Sequence, residues 1–287
     1  MAFDNAYEAI TEENDTRWAF GTGFADPMAG LGTAVPAEVN ADALAAYCLA
    51  LGDDALVMSH RLQQWCTNAP ELEEELALAN IALDLLGQAR LLYTRAGQAD
   101  GTGRDEDDFA FGRGPEEFRN VGLVEPPNGD FAWSMARLLV FATWRLALLS
   151  DLTGSPDPVL AAIAAKGVNE VAYHRDHAAN WVIRLGDGTG LSHDRMRRGL
   201  DAIWPLVPEL FTTTDLDRRA GLDPSALRPE FTAVLRQVLT TATLGPPDPG
   251  AERSSGGMGR DGVHSAALGE LLADLQSVAR ADPEAVW

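Results

Sequence analysis

Hydrophobic residues between positions 44 and 65 recur in alternating steps of four and three, the spacing of one face of an α-helix. They are Leu44, Cys48, Leu51, Ala55, Met58, Leu62 and Trp65. After a break at residues 67–70, a second helical segment has two apolar stripes. One stripe is Leu72, Leu76, Ala79, Leu83 and Leu86, and the other is Leu78, Ala82, Leu85, Ala89 and Leu92. We expect this helix to be packed on two sides and to form an αα-hairpin with the first.

Two further long helices follow a connection, residues 97–129, whose Gly, Asp and Pro content predicts irregular structure. The pattern predicts a third helix from Phe131 to about Leu152 and a fourth from Pro158 to about Leu185, closed by residues 186–188. Hairpin, long crossover and hairpin is the order of a ferritin-like four-helix bundle. Since no segment alternates as a strand does, the predicted fold class is all-α.

Additional C-terminal helices are expected beyond this bundle. One begins near Ser192 and should be kinked at Pro205, one begins after residues 223–224, and the last runs from about His264 to Arg280. We therefore divide the chain into a ferritin-like helical domain, residues 41–287, and an N-terminal extension, residues 1–40. The extension has no sustained hydrophobic period, so a flexible tail is the favoured interpretation and a partner-binding arm is the alternative.

Charge narrows the classes of function. The formal net charge of −21 argues against binding to nucleic acids or to anionic membranes, which require basic surfaces. No signal peptide or transmembrane span is predicted, because the start is acidic and the most apolar stretch, residues 138–149, is too short. Cys48 and Cys66 are expected to be two buried thiols, which suits a reducing cytoplasm.

The four-helix topology prompts a search for a di-iron site, which needs acids from two helices and a Glu-x-x-His pair from each of two others. The third helix has no Asp, Glu or His between residues 131 and 150. In the second helix Asp84 is followed three residues later by Gly87 instead of His. The fourth helix has Glu170, His174 and His177 on one stripe, the strongest metal candidate in the sequence.

The favoured interpretation of these residues is a remnant of a metal site and not a working one. We expect a buried polar network of Asn80, Asp84, Glu170 and either Arg137 or Arg145, in which arginine replaces iron as the balancing charge. The candidates for such a vestigial site are Asp84, Glu170, His174 and His177. No metal ligand, cofactor-binding residue or catalytic residue is therefore predicted in this chain.

Three segments resemble a known family. They are AAYCLALGDDALVMSHRLQQWCTNAPELEEELALANIALDLLGQAR, FRNVGLVEPPNGDFAWSMAR and GGMGRDGVHSAALGELLADLQ, at residues 45–90, 118–137 and 256–276. Together they are similar to the C subunits of bacterial phenylacetyl-CoA epoxidase, also called phenylacetate-CoA oxygenase. The resemblance covers about residues 41–287. The triplet at residues 265–267, Ser-Ala-Ala, departs from the Thr-Glu pair that the family tends to have after the histidine.

The resemblance implies both a ferritin-like fold and a role. It implies a cytoplasmic structural subunit, without metal of its own, that pairs with a related catalytic A subunit holding the di-iron centre. A small B subunit bridges such pairs, and a reductase supplies electrons from NADPH. The implied complex adds one oxygen atom of O2 to the ring of phenylacetyl-CoA as an epoxide, in aerobic phenylacetate catabolism. We expect the first two helices and the connection after them to supply part of the subunit interface.

Two other functions compete with this one. The first is an autonomous di-metal oxidase that uses Glu170, His174 and His177. It predicts bound iron and activity without a partner. The second is a free-standing helical adaptor, whose acidic surface and N-terminal extension bind unrelated proteins. It predicts no stable complex with an oxygenase subunit.

Overall fold

The computed structural model describes residues 30–247 and 259–282. Within these ranges the regular structure is helical, and no strand is found. The first hairpin pairs α1, Ala41–Gln63, with α2, Leu72–Asp100. A bond from Ser59 Oγ to the Ala82 carbonyl, at 2.7 Å, joins the two helices. The predicted all-α, ferritin-like bundle is confirmed.

A second hairpin completes the bundle. It consists of α4, Phe131–Leu152, and α5, Pro158–Gly186, and the predicted bounds of both helices hold within about a residue. Aspartates begin the helices, since Asp130 accepts from the Trp133 N–H at 2.9 Å and Asp157 accepts from the Leu160 N–H at 2.8 Å. Helix α2 packs on α5, so the two hairpins share one core.

The crossover between the hairpins is less irregular than the sequence predicts. Helix α2 continues to Asp100, and a short helix α3 occupies Glu106–Phe111. Two 3₁₀ turns, Pro115–Glu117 and Gly122–Val124, follow. An Asp105 capping box begins α3, a local signal that hydrophobic periodicity does not detect in so short a helix.

The C-terminal part adds helices around α4, α5 and α1. These are α6, Gly190–Ile203; α7, Asp215–Ala220; α8, Arg228–Thr241; α9, Ala266–Leu275; and α10, Ser277–Ala281. The predicted kink at Pro205 is wrong, because α6 ends at Ile203 and 3₁₀ turns follow through Phe211. The predicted last helix is divided at Gln276, whose side chain donates to the Ala110 and Arg113 carbonyls.

Helix α4 is the centre of the molecule. In the part of the chain that the structure describes, two helices, α2 and α4, are long and apolar enough to cross a bilayer by length and composition, but 94% of the apolar window of α4 is buried inside the protein. Such burial is typical of the core helix of a soluble protein. The corresponding figure for α2 is only 44%, because one of its faces is open.

The N-terminal extension lies mostly outside the described residues, since the description begins at residue 30. The part that is described packs on the bundle through half-buried Val35 and Val39. Arg95, which is paired with Asp157 in the core, also donates to the Thr33 carbonyl at 2.6 Å. The packed structure therefore begins before residue 41, the predicted boundary.

The two cysteines differ in their surroundings. Cys48 is fully buried on α1, as predicted. The prediction for Cys66 is wrong, because α1 ends at Gln63 and Cys66 lies in the following turns with its side chain exposed. The apolar stripe of α1 extends past the helix only as far as Trp65, which is buried.

Candidate functional site

The predicted site residues lie along the seam between α2 and α5, but they form separate pairs. His174 Nε2 lies 3.0 Å from Asp84 Oδ2, and His177 Nε2 lies 3.3 Å from Glu74 Oε2. Burial lowers the pKa of His177, against the opposing effect of Glu74. Glu170 belongs to neither pair. The four vestigial-site candidates thus share one seam without converging on one point.

Helix α4 places an arginine beside this seam. The Arg145 side chain is fully buried, and its Nε donates to Gln88 Oε1 at 2.9 Å. The Gln88 amide in turn donates to Glu170 Oε2 at 2.9 Å, and Glu170 also accepts from Lys166. We call these four residues, Gln88, Arg145, Lys166 and Glu170, the seam network. Burial lowers the pKa of Arg145 to about 10, with Asp54 opposing.

The predicted polar network is confirmed in part. Arg145 does reach Glu170, but only through Gln88, which the sequence analysis did not select. The sequence did contain a signal for Gln88, because this polar residue stands between Leu85 and Ala89 of the buried α2 stripe. Asn80 is exposed and takes no part, and Arg137 points to the other end of α4, where it donates to the Pro126 carbonyl at 2.7 Å.

A di-iron centre does not fit these side chains. No group of three or more His, Cys, Asp or Glu side chains able to hold a metal ion occurs among residues 30–247 and 259–282. Helix α4 offers Arg145 at the seam, and a guanidinium has donors only, so it cannot ligate a cation. It also repels one. The donor set and the local charge are therefore both unsuited to iron.

Two adjacent acids on α1, Asp53 and Asp54, form a fully buried charged group. Asp53 accepts from Tyr93 Oη at 2.7 Å, from the Arg119 N–H at 2.8 Å and from Arg113. Gly52 makes room for this arrangement, because a Cβ there would lie 2.5 Å from the Tyr93 ring. Asp53 and Asp54 do not belong to the apolar stripe of α1, yet their side chains are fully buried.

The second acid binds the C-terminal segment. Asp54 accepts from Arg260 Nη1 at 3.1 Å and Nη2 at 2.6 Å, and from the Val121 N–H at 2.8 Å. Burial lowers the pKa of Arg260, but the Asp54 carboxylate more than offsets this, so its pKa is raised. We call Asp53, Asp54, Arg113 and Arg260 the latch cluster. It fastens the crossover and residues 259–265 onto α1.

A third buried acid repeats this arrangement nearby. Glu125 accepts from His264 Nδ1 at 2.7 Å, from the Ser265 N–H at 2.7 Å and from Asn120 Nδ2 at 3.1 Å. The other ring nitrogen of His264 lies 2.9 Å from the Phe118 carbonyl. Both nitrogens face acceptors, an arrangement that the doubly protonated imidazolium satisfies and the neutral ring, with a single N–H donor, does not. The second and third recognised sequence segments therefore bind each other.

One face of α2 has no partner among the described residues. Leu72, Leu76 and Leu83 lie on the same side of the helix and are 67%, 57% and 56% exposed. Together with half-buried Leu86, they make up the first of the two stripes seen in the sequence. The other stripe is buried against the core. Of the two packed sides predicted for α2, the described residues cover only one.

Comparison with known proteins identifies the family. The family described as phenylacetic acid catabolic protein matches residues 30–287, most of the chain and every described helix. The chain belongs to the phenylacetic acid catabolic protein family. A curated relative is the C subunit of 1,2-phenylacetyl-CoA epoxidase from Escherichia coli strain K12. It is 42% identical over 249 residues, which cover 85% of this chain and 99% of the relative.

The family match confirms the resemblance that the three sequence segments carry. It begins at residue 30, and so includes the residues before α1 that pack on the bundle. The three segments supply Asp53, Asp54 and Arg260 of the latch cluster and both residues of the His264–Glu125 pair, while Arg113 lies outside them. The sequence segments that carry the resemblance are thus the parts that bind the crossover, the C-terminal segment and α1 together.

Proposed function

We propose that this chain is the structural, non-catalytic subunit of a cytoplasmic phenylacetyl-CoA epoxidase. In this complex a related A subunit would hold the di-iron centre, a small B subunit would bridge such pairs, and a reductase would bring electrons from NADPH. The 42% identity to the C subunit of the Escherichia coli enzyme, across 99% of its length, supports the assignment. It is the observation that carries the proposal.

The seam network supports the non-catalytic role. In a di-iron bundle the centre of the four helices must supply carboxylates and imidazoles around two iron ions, each with a charge of at least 2+. Here the α4 side of that centre supplies the Arg145 guanidinium, which Gln88 links to Glu170 by hydrogen bonds and whose charge Asp54 and Glu170 offset. Glu170 is further engaged by Lys166. An autonomous oxidase using Glu170, His174 and His177 would need to displace both cations.

The open face of α2 is our proposed contact with the catalytic subunit. Contiguous exposed apolar residues on a soluble protein mark interaction surfaces, particularly when polar residues border them. Leu72, Leu76 and Leu83 form such a row, with exposed Asn80 and Arg90 at its borders. The location agrees with the interface expected on the first hairpin. An adaptor without a fixed oxygenase partner would leave this specific row unexplained.

The first test measures iron. The purified chain is incubated anaerobically with ferrous iron, desalted and analysed for metal by elemental analysis. We expect well below one equivalent per chain, because Arg145 and Lys166 repel the cation. Two tightly held equivalents would contradict the proposal and favour the autonomous oxidase. The catalytic subunit, loaded in the same way, is the positive control.

The second test concerns the interface. The double variant Leu76→Glu, Leu83→Glu should weaken co-purification with the catalytic subunit by at least about tenfold, as expected when central apolar contacts are lost. Leu191→Glu, on α6, is the matched control, since Leu191 is 61% exposed and lies on another helix. All variants should unfold at the wild-type urea midpoint. An intact complex in the double variant, or an equal loss with Leu191→Glu, would refute this surface.

The proposal also predicts that epoxidation requires this chain. The catalytic subunit and reductase should show little turnover of phenylacetyl-CoA until the chain is added. The wild-type chain should restore turnover, and the Leu76→Glu, Leu83→Glu variant should not. Full activity without any added chain would make it an adaptor or bystander, not a structural subunit.

A further inference from the structure

The connection that leads into α4 contains Asn128 and Gly129, which form the only Asn-Gly pair in the sequence. Neither residue lies in a helix, and Gly129 is exposed to solvent. The Gly129 N–H has no hydrogen-bond acceptor among the described residues. Glycine is needed at this position, because a Cβ would lie 2.9 Å from Cγ of Trp133. The backbone nitrogen that follows Asn128 is therefore neither held by a hydrogen bond nor hindered by a side chain of its own residue.

The side-chain amide of Asn128 is bound to a buried cation. Arg137 donates through Nη2 to Asn128 Oδ1 and through Nη1 to the Pro126 carbonyl at 2.7 Å. The Asn128 NH2 group donates to the Arg61 carbonyl at 2.6 Å, which fixes the orientation of the amide. The Arg137 side chain is fully buried, and it bonds to no carboxylate in the part of the chain that the structure describes. Burial and the charge of Arg61 both lower the pKa of Arg137, and no acid opposes them.

This arrangement favours attack on the side-chain carbonyl carbon of Asn128. A guanidinium that donates to a carbonyl oxygen stabilises the negative charge that develops on the oxygen when a nucleophile adds to the carbon. The Gly129 nitrogen is a nucleophile that can close a five-membered ring with that carbon. Asn120 has neither advantage, because it is fully buried and is followed by Val121, whose branched side chain crowds the backbone nitrogen.

We propose that Asn128 is a site of spontaneous deamidation assisted by Arg137. The Gly129 nitrogen gives its proton to hydroxide and bonds to Cγ of Asn128. The Cγ–Nδ2 bond breaks, and the amide nitrogen takes a proton from water and leaves as ammonia. Water then opens the resulting succinimide at one of its two carbonyls, which leaves an aspartate or isoaspartate at position 128. The product places a carboxylate beside a buried guanidinium that had none, and the inference does not depend on the epoxidase assignment.

Peptide mass spectrometry tests this step. The full chain is incubated for days at mildly alkaline pH, folded in buffer or unfolded in guanidinium chloride, and is then digested with trypsin. The tryptic peptide from Asn120 to Arg137 contains both asparagines, so its fragment ions assign the modified residue and Asn120 is an internal control. We expect deamidation of the folded chain at Asn128 and not at Asn120, at least as fast as in the unfolded chain. An Asn128 that stays intact in the folded chain while the unfolded chain deamidates would overturn the proposal.

Arg137→Met isolates the contribution of the guanidinium. It removes the donor to Asn128 Oδ1, and deamidation should slow by at least about fivefold, less than an enzyme loses with an oxyanion-hole donor. Arg184→Met is the matched control, since Arg184 also stacks on a tryptophan, as Arg137 does, but lies on α5. It should deamidate at the wild-type rate. Equal rates in wild type and Arg137→Met would overturn the assisted step. If Arg137→Met does not fold, the comparison of folded and unfolded wild type decides alone.

Discussion

The latch cluster and the seam network are two groups of charge in the same helical bundle, but they are built differently. In the latch cluster, the carboxylates of Asp53 and Asp54 are wholly buried and their arginine partners nearly so. Along the seam, Asp84 is 40% exposed and the side chains of Glu170 and Lys166 reach solvent. The latch acids accept from arginines and from backbone N–H groups of loops, while Glu170 depends on one amide and one lysine.

This difference indicates which charges hold the architecture. A buried carboxylate without its cation destabilises the fold. The arginines of the latch cluster must therefore pair with the acids as the crossover and the C-terminal segment fold. The arginines that pair with Asp53 and Asp54 are separated from them by 60 and 206 positions in the sequence. The seam groups lie on neighbouring helices that pack for apolar reasons, and water can compensate for a missing partner. We therefore expect the fold to tolerate changes in the seam and not in the latch cluster.

The largest expected effect comes from Asp54→Asn. It removes the charge that faces the buried Arg260 guanidinium, and loss of one partner of a buried ion pair typically costs about 3–5 kcal/mol. Asp84→Asn, on the seam between α2 and α5, should cost less than about 1 kcal/mol, because the Asp84 side chain is partly solvated. Urea unfolding followed by circular dichroism measures both changes in free energy.

A second variant keeps this comparison testable if Asp54→Asn fails to fold. Arg260→Met removes the cation of the pair. When it is combined with Asp54→Asn, the double variant should recover part of the lost free energy of unfolding, because no buried charge remains unpaired. Equal costs for Asp54→Asn and Asp84→Asn would sink the distinction between the two groups. A double variant whose loss of unfolding free energy equals the sum of the two single losses would contradict the distinction too.

A smaller effect is expected at the His264–Glu125 pair. Burial lowers the pKa of His264, but the hydrogen bonds to Glu125 and to the Phe118 carbonyl more than offset it, so the pKa is raised. The stabilisation is therefore fully present below the unfolded pKa, about 6.5, and is lost as pH rises through the higher folded value. His264→Gln should cost about 1–2 kcal/mol near pH 6 and less at higher pH.

The measurement is the free energy of unfolding of wild type and His264→Gln from about pH 5.5 to pH 8.5. His193 provides the matched control, since its single ring contact is to the Gly186 carbonyl at 2.7 Å and His193→Gln removes no carboxylate pair. The wild-type minus His264→Gln difference should shrink with rising pH. A difference that grows, or that His193→Gln reproduces, would contradict an imidazolium at His264.

The sequence predicted the helices well and the charged interior poorly, for a physical reason. Hydrophobic period is local, so the bounds of α4 and α5 could be read directly. The pairing of Asp54 with Arg260 joins residues that are 206 positions apart, and no local pattern records it. Nor could periodicity decide which stripe of α2 a partner covers, since both stripes have the same spacing.

Within the seam, Arg145 could be expected to balance an acid, but its actual partner could not. Gln88 was overlooked because a neutral amide carries no charge to match, although it connects two charged groups. The histidines were placed correctly on one face of α5. Their acids, Asp84 and Glu74, lie on α2 and depend on the register between two helices, which a single sequence does not specify.

The smallest predicted effect, and the one that probes the seam most directly, is Gly87→Ala. Gly87 stands three residues after Asp84, where a Glu-x-x-His pair would need histidine, and a Cβ added there meets nothing within 4 Å. Glycine within a helix costs about 0.5–1 kcal/mol relative to alanine, so the substitution should stabilise the chain by about that amount. Gly97→Ala on the same helix is the control, because its Cβ would lie 2.0 Å from the Arg104 carbonyl oxygen and must destabilise. If Gly87→Ala also destabilises the isolated chain, the seam is as closely packed as the latch cluster and the contrast between them fails. If it stabilises the chain but weakens the complex with the catalytic subunit, the space beside Gly87 belongs to the partner, which extends the proposed interface from the leucine row to the seam.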